Sequence, residues 1–285
     1  MTDPLGLLWG TARLRPYVLA FLAVHAWSAV CALGARRVAA LTGIVWAAAF
    51  AAEWTSTRVG FPFGLSVSTR ATRGQELYLS NVPFMDFLSF TFLGWASYAL
   101  ALVLTRPRGR GIHRGGALAC DPRTAPATLA MATACFVLID VIIDPLAVRG
   151  DRWFLGPIFE YPDGGTYFGV PLSNFGGWAV VGAVAFVCYA ALDRRWGATG
   201  RALPANAAAA LPWGAALWFA GAAFNLLITF AIGEAALGFA GVTIAGSLAA
   251  GLAARRAPRA RQSPSPDWNG GGRAARAWQR EPSHP

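Results

Sequence analysis

Long runs of apolar residues dominate the chain and alternate with short polar segments. A membrane-spanning helix needs about 20 predominantly apolar residues, and seven stretches of the sequence approach or exceed that length. They cover approximately residues 16–34, 38–54, 82–104, 126–144, 172–192, 207–230 and 233–254. The pattern predicts an all-α fold, a polytopic transmembrane bundle of about seven helices. The short break at Gly233 and Glu234 also allows the last two runs to form a tightly hinged or re-entrant pair.

The two ends of the chain differ from this helical core. Arg36 and Arg37, rather than a small-residue cleavage site, follow the first apolar run, which favours a retained helix over a signal peptide. Residues 255–285 are rich in Arg, Pro, Ser and Gly and have no apolar periodicity, which is typical of disorder. We therefore expect an integral membrane helical domain over residues 1–254 and a disordered cytoplasmic tail over residues 255–285.

The composition agrees with a membrane protein and excludes several kinds of chemistry. The chain is 55% hydrophobic and 13% charged, about half the charged fraction of a soluble domain. All 24 basic residues are arginine, so Schiff-base catalysis, lysine-bound retinal or pyridoxal and the P-loop lysine are excluded. The four scattered cysteines suggest neither a disulfide framework nor a zinc site, and three histidines are too few for a di-iron or di-copper oxygenase.

Charge is distributed unevenly between the two sides of the predicted bundle. With seven spans, 17 arginines fall on the side of the C-terminus and 7 on the side of the N-terminus. The positive-inside rule then places the N-terminus outside the cell membrane and the C-terminus in the cytoplasm. Most carboxylates lie on the outer side, because the cytoplasmic side holds four: Asp121, Asp193, Asp267 and Glu281. The net charge of +10 thus reflects topology, and we expect no nucleic-acid partner.

Two aspartates in the fourth apolar run are the clearest candidates for chemistry. A central Asp costs about 2.5–3.5 kcal/mol on insertion scales, so its presence needs a reason. Asp140 and Asp144 lie four residues apart and share a helical face. Like charges this close should not both ionise in an apolar setting, so one carboxyl group can stay protonated near neutral pH. For Asp144 alone, a helix cap before Pro145 that faces interfacial water is an equal alternative.

An aromatic connection follows this aspartate pair, from Pro145 to Pro171. It is long for a bare loop and leads into Asn174 at the start of the fifth span. It forms either an interfacial aromatic belt or, more specifically, an aromatic-lined pocket beneath carboxylates. We assign four aromatic residues of this connection to substrate binding, Trp153, Tyr161, Tyr167 and Phe168, together with Trp178 in the fifth span and Phe63, which follows the second span.

A second group of polar residues lies on the same side of the membrane. Glu53 is near the outer end of the second span, and Asp86 begins the third, where it shares a face with Ser89 and Leu93. Four carboxyl groups from three helix ends can therefore converge with Asn174. Three other polar residues in or between spans, His25, Asn225 and Glu234, are isolated in the sequence, and for His25 and Asn225 we expect interhelical hydrogen bonds.

These segments resemble the CruF-type family of multi-pass carotenoid hydratases, which includes bisanhydrobacterioruberin hydratase and carotenoid 1,2-hydratase. The resemblance covers approximately residues 40–192. It rests on Glu53 with Gly60-Phe-Pro-Phe-Gly64, on Asp140-x-x-x-Asp144-Pro145, on Trp153, and above all on Tyr167-Phe-Gly-Val-Pro-Leu-x-Asn174-Phe-x-Gly-Trp178. It implies an integral membrane protein that acts on acyclic carotenoid ends without a known cofactor. Leu65, Ser66 and Val67 replace expected aromatic residues, and Asp86 stands where many members are apolar, so the end group and chain length of the substrate stay open.

Together these features predict a cofactor-independent hydro-lyase that adds water across the terminal double bond of an acyclic carotenoid. A neutral carboxylic acid would protonate the alkene, aromatic faces would stabilise the tertiary cation, and Asn174 or Asp144 would deliver water. The candidate acids are Asp140, Asp144, Glu53 and Asp86. The expected partners are the carotenoid, membrane lipid and other carotenoid biosynthesis enzymes, and no metal is expected.

Two other classes of protein remain open at this point. Asp140-x-x-x-Asp144 also resembles one of the two Mg²⁺-diphosphate motifs of UbiA-type prenyltransferases or carotenoid elongases. The second motif is missing, Asn81-x-x-x-x-Asp86 is a poor substitute, and no lysine is available for the diphosphate. A non-catalytic carotenoid-binding membrane protein is the third class, and it predicts no change in the mass of the carotenoid.

Overall fold

Seven long helices make up most of the protein in the computed structural model, which describes residues 3–106, 121–197 and 205–256. Each has the length and apolar composition to cross a bilayer, so the predicted polytopic bundle is confirmed. Within the described residues a shorter helix precedes them. The bounds are Pro4–Leu14 (α1), Pro16–Leu33 (α2), Ala35–Val59 (α3), Phe84–Thr105 (α4), Pro126–Ala147 (α5), Leu172–Arg195 (α6), Ala205–Ala231 (α7) and Ala235–Arg256 (α8).

Helix α4 forms the centre of the bundle. Its sequence is apolar on all sides, and its residues from Phe90 to Leu102 are all buried, as expected for a helix surrounded by others. It packs against α2, α3, α5 and α7. The outer helices instead expose large apolar side chains, among them Val187, Leu227 and Phe239, which suits contact with lipid rather than water.

Several helices extend beyond the predicted spans. Helix α3 continues to Val59, so Glu53 lies inside the helix rather than at its end. Helix α5 continues through Pro145 to Ala147, because a proline in the last turn removes one hydrogen bond without ending the helix. Asp144 is therefore not the last residue of its helix. Helices α7 and α8 are separate spans joined at Gly233, whose φ of +81° is readily adopted only by glycine.

Two small pairs of strands cover the end of the bundle that carries the predicted carboxyl cluster. Strand β1 (Val67–Ser68) pairs antiparallel with β4 (Phe159–Glu160), and β2 (Tyr78–Leu79) pairs with β3 (Val82–Pro83). The first pair joins the segment after α3 to the segment after α5. A hydrogen bond from Thr69 N to Ile158 O, 3.0 Å long, extends this junction. The sequence did not predict these strands, because two residues are too few to show an alternating pattern.

Ion pairs join the helices at the opposite end. Arg37 Nε of α3 lies 2.5 Å from Asp193 Oδ1 of α6, and Arg123 Nε, in the segment before α5, lies 3.8 Å from Asp193 Oδ2. Arg37 and Arg123, which are far apart in the sequence, therefore meet at Asp193. Most of the predicted tail, residues 257–285, lies outside the described residues, as does 107–120 of the loop before α5. Helix α8 continues two residues into that tail, to Arg256.

Candidate active site

A cavity opens at the carboxyl-rich end of the bundle, between helices α2 to α7 and beneath the paired strands. It encloses about 1210 Å³ of space, including that at its mouth. Its walls are mostly apolar. Nine of the residues assigned to the site from the sequence line it: Glu53, Phe63, Asp86, Asp140, Asp144, Trp153, Tyr161, Asn174 and Trp178.

An amide joins the two aspartates of α5. Asn174, near the start of α6, directs its Nδ2 to Asp140 Oδ2 at 2.7 Å and to Asp144 Oδ2 at 2.9 Å. Asp140 is completely buried and Asn174 is 2% exposed. The second oxygen of Asp140, Oδ1, is buried and makes no hydrogen bond with any described residue. A buried carboxyl oxygen without a donor is suited to carrying a proton rather than a charge.

Tyr161 supplies a second donor to Asp144. Its hydroxyl lies 3.0 Å from Asp144 Oδ2, so this oxygen accepts from both a phenol and an amide. Burial, together with the carboxyl groups nearby, raises the pKa of Tyr161 well above its usual range. The phenol therefore remains a neutral donor. The pair is asymmetric, since Asp144 has two donors and Asp140 has one, and hydrogen bonds favour the charged form of the group that accepts them.

The other two carboxyl groups face the same cavity but have different surroundings. Glu53 makes no hydrogen bond through its side chain with the described residues. Asp86 Oδ1 instead accepts a short hydrogen bond from Arg15 NH1. The predicted convergence of the four carboxyl groups thus brings them to one cavity, where two of them share an amide and one pairs with a cation.

Arg15 and Glu76 are site residues that the sequence analysis missed. Arg15 Nε and NH2 lie 2.8 and 2.9 Å from the two oxygens of Glu76, and the two residues are 2% and 1% exposed. Thr72 Oγ1 donates to Glu76 at 2.5 Å. An arginine before a span usually marks the interface, so the local pattern carried no signal for burial. The one sequence feature that could have indicated the pairing is that Arg15 lies on the side of the membrane that is poor in arginine and rich in carboxylates.

Aromatic rings form the deeper wall of the cavity. Trp178 stacks on Phe90, with ring centroids 4.3 Å apart, and Phe63 lies 6.4 Å from Trp178. Across the cavity Tyr17 stacks on Phe224 at 5.2 Å. Phe90, Tyr17 and Phe224 were not predicted as cavity residues, because an aromatic residue inside an apolar run has the same sequence pattern as any other core residue.

Tyr167 and Phe168, which we assigned to substrate binding, do not line this cavity. Their rings pack edge to face with centroids 5.0 Å apart, and Tyr167 packs in the same way on Phe175 at 5.5 Å. The Phe168 carbonyl accepts from Arg149 at 3.1 Å. These contacts form the turn that leads into α6, and that turn sets the position of Asn174.

The isolated polar residues of the spans have ordinary partners. His25 Nε2 lies 3.4 Å from Thr42 Oγ1 of α3, an interhelical contact as expected. Asn225 donates instead to Gly221 O of its own helix at 2.9 Å, and it lines the cavity. Glu234 is not isolated, because it pairs with Arg149 and Arg152 at 3.3 and 2.6 Å.

Comparison with known proteins identifies one family and one distant relative. The family described as carotenoid biosynthesis protein matches residues 15–246, which include every helix from α2 to α7 and most of α8. The bisanhydrobacterioruberin hydratase of Haloarcula japonica is 29% identical over 140 residues, which are 48% of this chain and 39% of that protein. The match therefore spans well under two thirds of that relative. No solved structure matches the chain.

Proposed function

The chain belongs to the carotenoid biosynthesis protein family, and from this premise we propose that it adds water to the terminal double bond of an acyclic carotenoid, giving a tertiary alcohol. The observation that carries the proposal is the buried Asp140, which borders an aromatic cavity and keeps one oxygen without a hydrogen bond to the described residues. The hydratase from Haloarcula japonica supports it as a distant relative.

Asp140 is the proton donor in this proposal. Protonation of a trisubstituted alkene at its less substituted carbon needs a strong acid, and a neutral carboxylic acid in an apolar site is one. Asn174 binds both aspartates, and Tyr161 adds a second donor to Asp144 alone. Asp144 therefore holds the negative charge of the pair, and Asp140 holds the proton.

The aromatic wall stabilises the cation that protonation leaves on the tertiary carbon. The faces of Trp178, Phe90 and Phe63 border the cavity, and each cation–π contact is worth about 0.5–2 kcal/mol. Rings offer this stabilisation without forming a bond to the carbon, so the cation remains available to water. Trp153 and Tyr161, beneath the strands, enclose the same space from the other end.

The dimensions of the cavity suit one end of a polyene rather than the whole molecule. Along α4 its lining runs from Asp86 to Leu93, about 10 Å at 1.5 Å per residue. A bilayer core is about 30 Å thick. The terminal group would therefore enter the cavity laterally while the remainder of the polyene stays among lipid chains. We place this end of the bundle at the outer face of the cell membrane, from the arginine distribution.

Conversion of an acyclic carotenoid tests the proposal. The full chain, expressed in cells that accumulate such a carotenoid, should yield a product heavier by one or two waters, and growth in H₂¹⁸O should label the added oxygen. A product that gains an isoprenoid unit would favour a prenyltransferase. A carotenoid that co-purifies with the protein but keeps its mass across several chain lengths would favour a binding protein.

A further inference from the structure

Two kinds of carboxyl group face one cavity, and they differ in their partners. Asp140 and Asp144 share an amide donor, whereas Asp86 pairs with the buried guanidinium of Arg15. An arginine stays protonated in proteins, so Asp86 has a permanent positive partner. Groups whose surroundings favour opposite protonation states are suited to act as acid and base in one reaction.

Resting on the proposed hydration, we infer that Asp86 is the base that takes a proton from the attacking water, and that Arg15 is the residue that positions it. This inference assigns separate residues to the two proton transfers. It also gives a role to the aspartate that departs from the pattern of the hydratases that the sequence resembles.

The geometry of Arg15 leaves Asp86 available to a ligand. Both oxygens of Glu76 bind one edge of the guanidinium, and NH1 on the other edge binds Asp86 Oδ1. The side chain of Asp86 is 28% exposed, while that of Glu76 is fully buried. Asp86 Oδ2 makes no hydrogen bond with the described residues. One carboxylate oxygen is thus fixed, and the other is free to accept a proton from water.

Neighbouring groups hold this arrangement from outside the cavity. Thr72 donates to Glu76, and its hydroxyl lies 2.8 Å from the Tyr78 hydroxyl. Thr11 Oγ1, on α1, accepts from Leu77 N at 2.8 Å. A buried arginine is retained only when its charge is compensated. Glu76 supplies the compensating charge at 2.8 Å from Nε and accepts a hydrogen bond from NH2 at 2.9 Å, although Nε itself makes no hydrogen bond with the described residues. Asp86 can therefore gain a proton during turnover without leaving Arg15 unpaired.

The full cycle balances in atoms and charge. The alkene π electrons form a C–H bond with the proton of Asp140, leaving a tertiary cation and a carboxylate. A lone pair of water forms the C–O bond, and the released proton goes to Asp86. Transfer of that proton back to Asp140 restores both residues, so one water is added in total. Charged and titratable groups near Asp86 are Arg15, Tyr17, Glu53, Glu76, Tyr78 and Asp144.

Deuterium exchange separates the acid step from the water step. In D₂O a cation that is formed but not captured loses a proton again, and the recovered alkene carries deuterium. We expect purified full-length Asp86→Asn to lose at least about a hundredfold in hydration rate while still incorporating deuterium into recovered carotenoid. Arg15→Gln should show the same split, and Arg15→Lys, which keeps the charge, should restore part of the hydration.

Three outcomes would oppose the inference or the function beneath it, and they can be told apart. Near-normal hydration by Asp86→Asn overturns the inference. Loss of both exchange and hydration in a folded Asp86→Asn protein also overturns it, because Asp86 would then act before the cation forms. A wild-type protein that never hydrates the carotenoid contradicts the proposed function instead. Asp163→Asn, an exposed carboxylate of the same end, is the matched control and should behave as wild type.

Discussion

Asn174 Nδ2 lies within 2.9 Å of one oxygen of Asp140 and one of Asp144, so one amide on α6 holds two carboxyl groups on α5. The four-residue spacing places both aspartates on one face, and the turn before α6 brings the amide to them. This contact joins the two sequence segments that carry the most specific resemblance to carotenoid hydratases.

Replacing the amide should damage catalysis more than folding. Asn174→Leu keeps the branched shape of the side chain but removes the donor, leaving two carboxyl oxygens with fewer partners at a cost of about 1–3 kcal/mol. We expect hydration to fall at least about tenfold. Asn174→Asp should lose activity at pH 8 and recover part of it at pH 5, because a protonated carboxyl can donate again. Hydration rates at both pH values check this, and equal rates for Asn174→Asp at pH 5 and 8 would contradict it.

Tyr161→Phe should lower hydration modestly at every pH. Burial raises the pKa of Tyr161 well above its usual range, which moves loss of its proton to more alkaline solution, so the phenol donates throughout pH 5–9. The alkaline limb of the rate profile should therefore keep its position in Tyr161→Phe. Tyr189→Phe, at the opposite end of the bundle, is the control and should match wild type. A shifted alkaline limb in Tyr161→Phe would show that this phenol ionises during the titration.

Close packing at Gly177 predicts a stability difference between two adjacent glycines of α6. A Cβ at Gly177 would lie 2.4 Å from Phe63 Cδ1 and 2.9 Å from the Pro62 carbonyl carbon, whereas one at Gly176 would meet nothing within 4 Å. Gly177→Ala should cost about 1–3 kcal/mol and displace the Phe63 wall. Gly176→Ala should be neutral or stabilising by up to about 1 kcal/mol. Thermal unfolding in detergent measures both, and equal midpoints would contradict the packing.

Long sequence patterns predict the fold of this protein better than short ones do. Seven apolar runs each cover most of a helix, and their alternation across a membrane brings Glu53, Asp86, Asp140 and Asp144 to one side. The hydrophobic pattern therefore predicted the bundle and the end of it at which the four carboxyl groups lie. It ended α3 and α5 too early because polar residues and Pro145 near a helix end weaken the apolar signal without breaking the helix.

The features that the sequence did not reveal depend on contacts between distant segments. Arg15 is buried because Glu76 and Asp86, 61 and 71 residues later, satisfy its guanidinium, and no local pattern records that pairing. Tyr167 and Phe168 have the composition of a binding site, yet their rings pack on each other and on Phe175. Aromatic residues that pack in a turn and aromatic residues that line a pocket have the same sequence pattern, and only the course of the backbone distinguishes them.

The arginine distribution predicts the membrane orientation, which can be measured directly. In a background without the native cysteines, Thr166→Cys, at an exposed position of the carboxyl-rich end, should react with an impermeant thiol reagent added outside the cell. Ser265→Cys, in the predicted tail, should react only after the membrane is opened. The reverse labelling would place the cavity at the cytoplasmic face.

The most direct test of the account is the loss of proton transfer in Asp140→Asn. The amide keeps the shape of the side chain but cannot protonate an alkene, so the folded variant should neither hydrate the carotenoid nor incorporate deuterium from D₂O into it. Wild type and the Asp163→Asn control should hydrate the carotenoid at equal rates, and the product of each should carry deuterium from D₂O. Near-normal hydration and labelling by Asp140→Asn would contradict the account. Loss of both hydration and labelling in Glu53→Gln or in Asp86→Asn would then move the proton donor to α3 or α4.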